Sequence, residues 1–122
     1  MSKNKISNGV KIAIPTDGKN GLEDTIAEHF GRAKSFLVYD METKTSNVYP
    51  NPEATGGSQL PPDFLRTKKV SVVIVFSLGP MAYNKFEDYH IKMSKAIPGS
   101  IFENIKEFKK NNLGELAKED IF

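Results

Sequence analysis

The chain has neither cysteine nor tryptophan. The first absence excludes disulfides and every site built on a thiolate: zinc fingers, ordinary iron–sulfur ligation and thiol nucleophiles. The second leaves the aromatic mass to eight phenylalanines and four tyrosines. A dominant charge is also missing. With 17 basic and 15 acidic residues the formal charge is +2, too balanced to predict a nucleic-acid partner. Long apolar runs are absent: the longest, VSVVIVF, is far short of a membrane span. The opening MSKNKISNGVK has no apolar h-region, so no signal peptide and a cytoplasmic location are expected.

The 122 residues suit one domain, long enough to bury a sizeable core. Residues 1–9 read as a flexible tail, 10–116 as the domain and 117–122 as a C-terminal tail. VKIAIP (10–15) is β-branched and ends on proline, which predicts a first strand. SFLVYD and TSNVYP, separated by a few polar residues, predict an antiparallel hairpin. Pro61 or Pro62 suits the opening of a short helix. KVSVVIVFS is nearly continuous in apolar residues and predicts a central strand covered on both faces. LGPMAYNKFEDY turns to helical spacing with Pro80 in first position. IKMSKAI reads as a short strand. Ser100 and Glu103 form a capping box for a helix carrying Ile101, Ile105 and Phe108. The order β-β-β-α-β-α-β-α predicts a mixed sheet with helical cover.

EHFGRAK (28–34) crowds an acid, an imidazole, an aromatic, a glycine and a guanidinium between two strands. Together with VKIAIPTDG, LEDTIAEHFGRAKSFLVYD, NP, GG, LGPMAYNKF and FENIKEFKKNNL, it resembles the dinitrogenase iron–molybdenum cofactor biosynthesis family, over about residues 10–116. The resemblance implies a ribonuclease H-like three-layer α/β/α fold with a mixed five-stranded sheet. It also implies a non-catalytic role in binding or transferring an iron–molybdenum or iron–sulfur-type cofactor precursor. The implied partner is a cofactor-assembly or acceptor protein, and the chain itself is expected as a monomer or weak homodimer. Relatives carry a longer glycine-rich region where this chain has TGGSQLPP, and some use further histidine or cysteine positions where this one has only His29 and His90.

The residue chemistry offers both functional and structural roles. His29 contacts the cofactor as a metal ligand, fixes the loop through a hydrogen bond, or is a plain surface residue. Arg32 either pairs with an anionic cofactor or bridges to Glu28 or Asp40. Gly31 serves turn geometry or close approach of a ligand, and Phe30 anchors the loop. Gly56 and Gly57 either present amides to an anion or form a connector. Gly79 and Pro80 end the central strand and start a helix, a place that favours anions. Met81 is a packing or cap-adjacent residue or a soft ligand, and His90 is structural or exposed, able to assist only if the fold brings it to His29. Asp17, Glu23 and Asp24 are acids able to approach His29. A surface for partners would draw on Tyr49, Phe76, Tyr83 and Phe102. Two other function classes compete: a regulatory domain binding a small molecule or protein without metal, and a hydrolase built on Asp17, Asp40 and His29, which has no specific acidic spacing behind it.

Overall fold

A computed structural model describes residues 9–122. The expected N-terminal tail falls almost wholly outside the described residues. Five strands form one sheet in the order β3-β2-β1-β4-β5. They are β1 (Lys11–Thr16), β2 (Ser35–Asp40), β3 (Thr45–Pro50), β4 (Val72–Val75) and β5 (Lys92–Lys95). The three helices are α1 (Pro61–Thr67), α2 (Pro80–Asp88) and α3 (Ile101–Lys109). The β1–β2 and β2–β3 pairs are antiparallel, and β1–β4 and β4–β5 are parallel. The sheet is therefore mixed, as expected.

Side-chain alternation along the strands builds a core on each face. Ala13, Val73 and Val75 point into one core with Phe36, Leu65 of α1 and Phe86 of α2. Ile12, Ile14, Val72 and Ile74 point into the other with Ile101, Ile105 and Phe108 of α3. Two helices thus cover one face and the third covers the opposite face, which gives the three-layer α/β/α architecture. Among the described residues no helix is long and apolar enough to cross a membrane.

Several boundaries differ from the sequence expectation for identifiable reasons. The apolar run of 70–76 yields only Val72–Val75 as strand, because pairing with β5 spans just those residues. The Ile91–Ile97 segment likewise shortens to Lys92–Lys95. At the first strand the proline does not end the element: β1 continues to Thr16, which pairs with Ser35 of β2. What Pro15 ends is the pairing with β4, confined to Ile12–Val72 and Ala13–Val73. Proline has no N–H to continue the parallel ladder. Its carbonyl instead accepts the Ala27 N–H at 2.9 Å. The strands part there, and the loop after β1 enters the opening.

The C-terminal segment is docked on the sheet through its backbone. Gly114 accepts the Lys95 N–H at 2.8 Å, and Leu116 donates to Met93 at 3.3 Å, so the chain covers the β5 edge. Further on, Leu78 donates to the Asp120 carbonyl at 3.0 Å and Phe122 donates to the Leu78 carbonyl at 3.1 Å. Residues 118–122, expected as a tail, lie across the end of β4.

Candidate functional site

The opening between β1 and β4 lies at their C-terminal ends, beside the point where the strand order reverses. Ligands of open α/β sheets favour that position. Two segments meet there: the loop of residues 17–34 and the turn of residues 76–79 that leads into α2.

The loop is fixed at several points. Phe30, 4% exposed, packs its ring 5.1 Å from Phe36 and 5.5 Å from Phe86. The expected anchor role of Phe30 is thereby seen directly. Ile26 enters the α3-side core and Ala27 the other, so the loop straddles the sheet end. Asp17 accepts the Lys34 N–H at 3.0 Å, and Asp24 accepts the Asn20 N–H at 2.8 Å. The Asp24 carbonyl also accepts the Ile101 N–H at 2.7 Å, tying the loop to α3. Both acids serve as turn caps.

Asn51 is the largest omission of the sequence reading. It is fully buried. Its side-chain amide donates to the Gly31 carbonyl at 3.1 Å and the Ala33 carbonyl at 2.9 Å. Its side-chain oxygen accepts the Glu53 N–H at 3.0 Å. One side chain therefore clamps both sides of Arg32. The NP pair at 51–52 signals only a turn in sequence, since the bonded partners are distant along the chain.

The clamped loop leaves His29 and Arg32 exposed. Together with Gly31, Gly79 and Phe122 they line a shallow hollow of about 240 Å³. Among the described residues neither side chain has a hydrogen-bond or ion-pair partner. The loop-fixing hydrogen bond considered for His29 is not formed there. An Arg32–Asp40 bridge is ruled out by position, because Asp40 pairs with Lys11 at the opposite end of the sheet. The same separation disperses the Asp17–Asp40–His29 trio.

Gly79 is the N-cap of the nine-residue α2, with no side-chain cap bond and with Pro80 at the helix start. The first-turn amides of such a helix lack intrahelical partners and favour negative charge. Met81 lies in that turn, adjacent to the cap as one of its expected roles has it, and is 48% exposed. A Cβ on Gly31 or Gly79 would meet nothing within 4 Å, so both have open space beside the backbone.

The other expected residues do not join. Gly56, at φ +87°, closes the short 3-10 turn Pro52–Thr55 and donates to Glu53 at 3.3 Å. Gly57 donates to Pro52 at 2.7 Å. Their amides are consumed in the turn, so the anion cradle expected of them does not form. His90 sits before β5, at the other sheet end, in a larger hollow of about 430 Å³ with Tyr83, Glu87 and Glu115. There Tyr83 donates to Glu87 at 3.1 Å, which pushes the tyrosine pKa up. Size alone favours this second hollow; position at the strand C-termini and the unpartnered Arg32 guanidinium favour the first. Among the described residues no group of three or more His, Cys, Asp or Glu is placed to hold a metal ion.

The model of the family described as dinitrogenase iron–molybdenum cofactor matches residues 10–111. The chain belongs to that family. The match contains both β1 and α3, and with them the loop of His29 and Arg32. It links the chain to the accessory proteins of the nitrogenase cofactor. A curated relative, an uncharacterized protein of Methanocaldococcus jannaschii, is 29% identical over 110 residues, covering 85% of this chain and 89% of that one. Among solved structures, a Thermotoga protein named after NifB is 28% identical with a TM-score of 0.75, covering 88% of this chain and 93% of its own. The apo form of the orange protein from Desulfovibrio gigas has a TM-score of 0.77 at 21% identity, with 91% and 96% covered, a likeness of fold.

Proposed function

We propose that the chain binds an anionic metal–sulfur cofactor precursor, of iron–molybdenum or iron–sulfur type, and passes it on without chemical turnover. The observation that carries the reading is the meeting of His29, Arg32 and the Gly79 start of α2 around one hollow. The donor set fits cargo held reversibly. A preformed cluster brings most of its own coordination, so one imidazole suffices as an exchangeable ligand. Arg32 supplies a planar donor fork for carboxylate or sulfur-rich anionic groups. The bare backbone at Gly31 and Gly79 lets a bulky cluster approach closely. The open hollow leaves the cargo reachable by an assembly or acceptor protein.

The test is an anaerobic titration with isolated iron–molybdenum cofactor and with its iron–sulfur precursor, read by electron paramagnetic resonance and gel filtration. Stoichiometric binding, weakened at least tenfold by His29→Ala and less by Arg32→Ala, is the expected result. Both side chains are exposed, so both variants should keep the parent's stability. Failure of the folded parent to bind either species overturns the reading. A second reading, a regulatory domain for a small metal-free anion, rests on the same unpartnered Arg32 guanidinium. It predicts that a metal-free tricarboxylate such as homocitrate alone binds as tightly as the cluster.

A further inference from the structure

The hollow of His29 and Arg32 has three walls. The loop after β1 supplies those two side chains and Gly31, and the turn after β4 supplies Leu78 and Gly79. The third wall is Phe122, carried by residues 118–122, which lie as a strap across the end of β4. The stretch that matches the family, residues 10–111, contains the first two walls and not the third.

The strap is attached lightly. The chain before it is fixed to the β5 edge, where the Leu116 N–H bonds to the Met93 carbonyl and the Leu116 side chain packs against the core beneath α1 and α2. From Lys118 onward no side chain is buried. Among the described residues the strap is held by its two backbone bonds to Leu78, at 3.0 and 3.1 Å, and by the Lys95–Asp120 ion pair at 2.6 Å. A segment with so little buried opens at low cost while the core stays closed. Lys95 stands on β5 and donates to the Phe76 carbonyl as well, so its pair with Asp120 is the latch. Phe122 is 70% exposed, which leaves most of its ring to be covered by whatever fills the hollow.

We propose that the strap is a gate on the hollow: it swings as a unit beyond Leu116, and Phe122 retains the bound cargo when the Asp120 latch is closed. The opening rests on the strap's own attachments. The retention rests on the cluster-carrier reading given above. Such a gate reconciles a shallow, weakly ligating hollow with safe carriage, because release waits on the strap rather than on breaking many ligand bonds.

The test has two arms. The first needs no cargo. Hydrogen exchange at the Leu78 amide should be insensitive to low urea, since a local opening exposes little surface. Leu78 exchange that occurs only through urea-sensitive global unfolding overturns the gate. The second arm follows release of bound iron–molybdenum cofactor after rapid dilution, read by freeze-quenched electron paramagnetic resonance. Phe122→Ala, at an exposed position that keeps the fold, should speed release at least about threefold, and so should Asp120→Asn. Electrostatics alone would act the other way, since removing a carboxylate near an anionic cargo slows its loss. The double variant should release no faster than Phe122→Ala, because a latch is useless without the ring it holds. Normal binding with release indifferent to Phe122→Ala overturns the gate and leaves the carrier reading standing. Multiplying effects in the double variant do the same. A parent that binds no cofactor overturns the carrier reading and the gate together.

Discussion

The side-chain amide of Asn51 holds the carbonyl of Gly31 at 3.1 Å, across 20 positions of sequence. The bond makes the turn after β3 a support for the loop after β1. Because Asn51 also holds Ala33 and Glu53, its removal breaks three bonds and strands the buried Ala33 carbonyl. Asn51→Ala should destabilise the chain by about 2–3 kcal/mol, with a lower urea midpoint. It should also weaken cluster binding although Asn51 would not touch the cluster. If the midpoint moves and binding does not, the loop does not need the clamp to present His29 and Arg32.

Gly31 and Gly56 separate ligand access from backbone geometry. Gly56 has φ +87°, while Gly31 lies outside that left-handed range and has open space where a Cβ would go. Gly56→Ala should cost about 1–2 kcal/mol. Gly31→Ala should change stability by less than about 0.5 kcal/mol. If the cluster comes close to the backbone at Gly31, that neutral variant should bind several-fold more weakly. Denaturation and titration of the same two variants decide the matter. Equal binding by Gly31→Ala and the parent would place the cargo elsewhere in the hollow.

Much of this architecture was legible because its signals are local. The Ser100–Glu103 capping box is present with both reciprocal bonds, and Pro80 opens α2 as its position predicts. The unbroken apolar run identifies β4 as the strand buried on both faces. What sequence could not give was long-range. Asn51 reads as turn punctuation until its partners at 31 and 33 are brought beside it. The glycines at 56 and 57 look like free amide donors until the 3-10 turn takes up their N–H groups. Pro15 reads as a strand end, yet it stops only the ladder to β4, a distinction that needs both neighbours of β1. The grouping of His29 with Gly79 depends on that same parting of strands.

Gly79 allows stability and binding to be driven in opposite directions. As an uncapped helix start it is a place where aspartate is favoured, so Gly79→Asp should stabilise α2 by a few tenths of a kcal/mol. The same carboxylate would stand in the hollow of His29 and Arg32. Repulsion there, about 1 kcal/mol between solvent-exposed charges, should weaken an anionic ligand roughly fivefold. The effect should shrink as salt is raised. A more stable protein that binds less well identifies charge at this position as the cause. Unchanged affinity would remove the α2 terminus from the site.

The strap formed by residues 118–122 should be sensitive to acid. Lys95 bonds the Asp120 carboxylate at 2.6 Å and the Phe76 carbonyl at 3.0 Å, joining the strap to the end of β4. The Lys95 bond first, and the Ala117 N–H second, hold the Asp120 pKa below its ordinary value of 3.8. Folding therefore favours the ionised carboxylate. Its contribution is complete above the ordinary aspartate value and is lost as pH falls through the lower folded value. Asp120→Asn should lower the thermal midpoint at neutral pH, and the gap from the parent should close below about pH 3.8. Asp63, also held low by Tyr89 and Lys85, titrates in both proteins and cancels from that difference. Amide signals of Leu78 and Phe122 should shift together over the same acid range in the parent alone. A midpoint gap that stays constant down to pH 2 would mean that the Asp120 charge does not hold the strap in place.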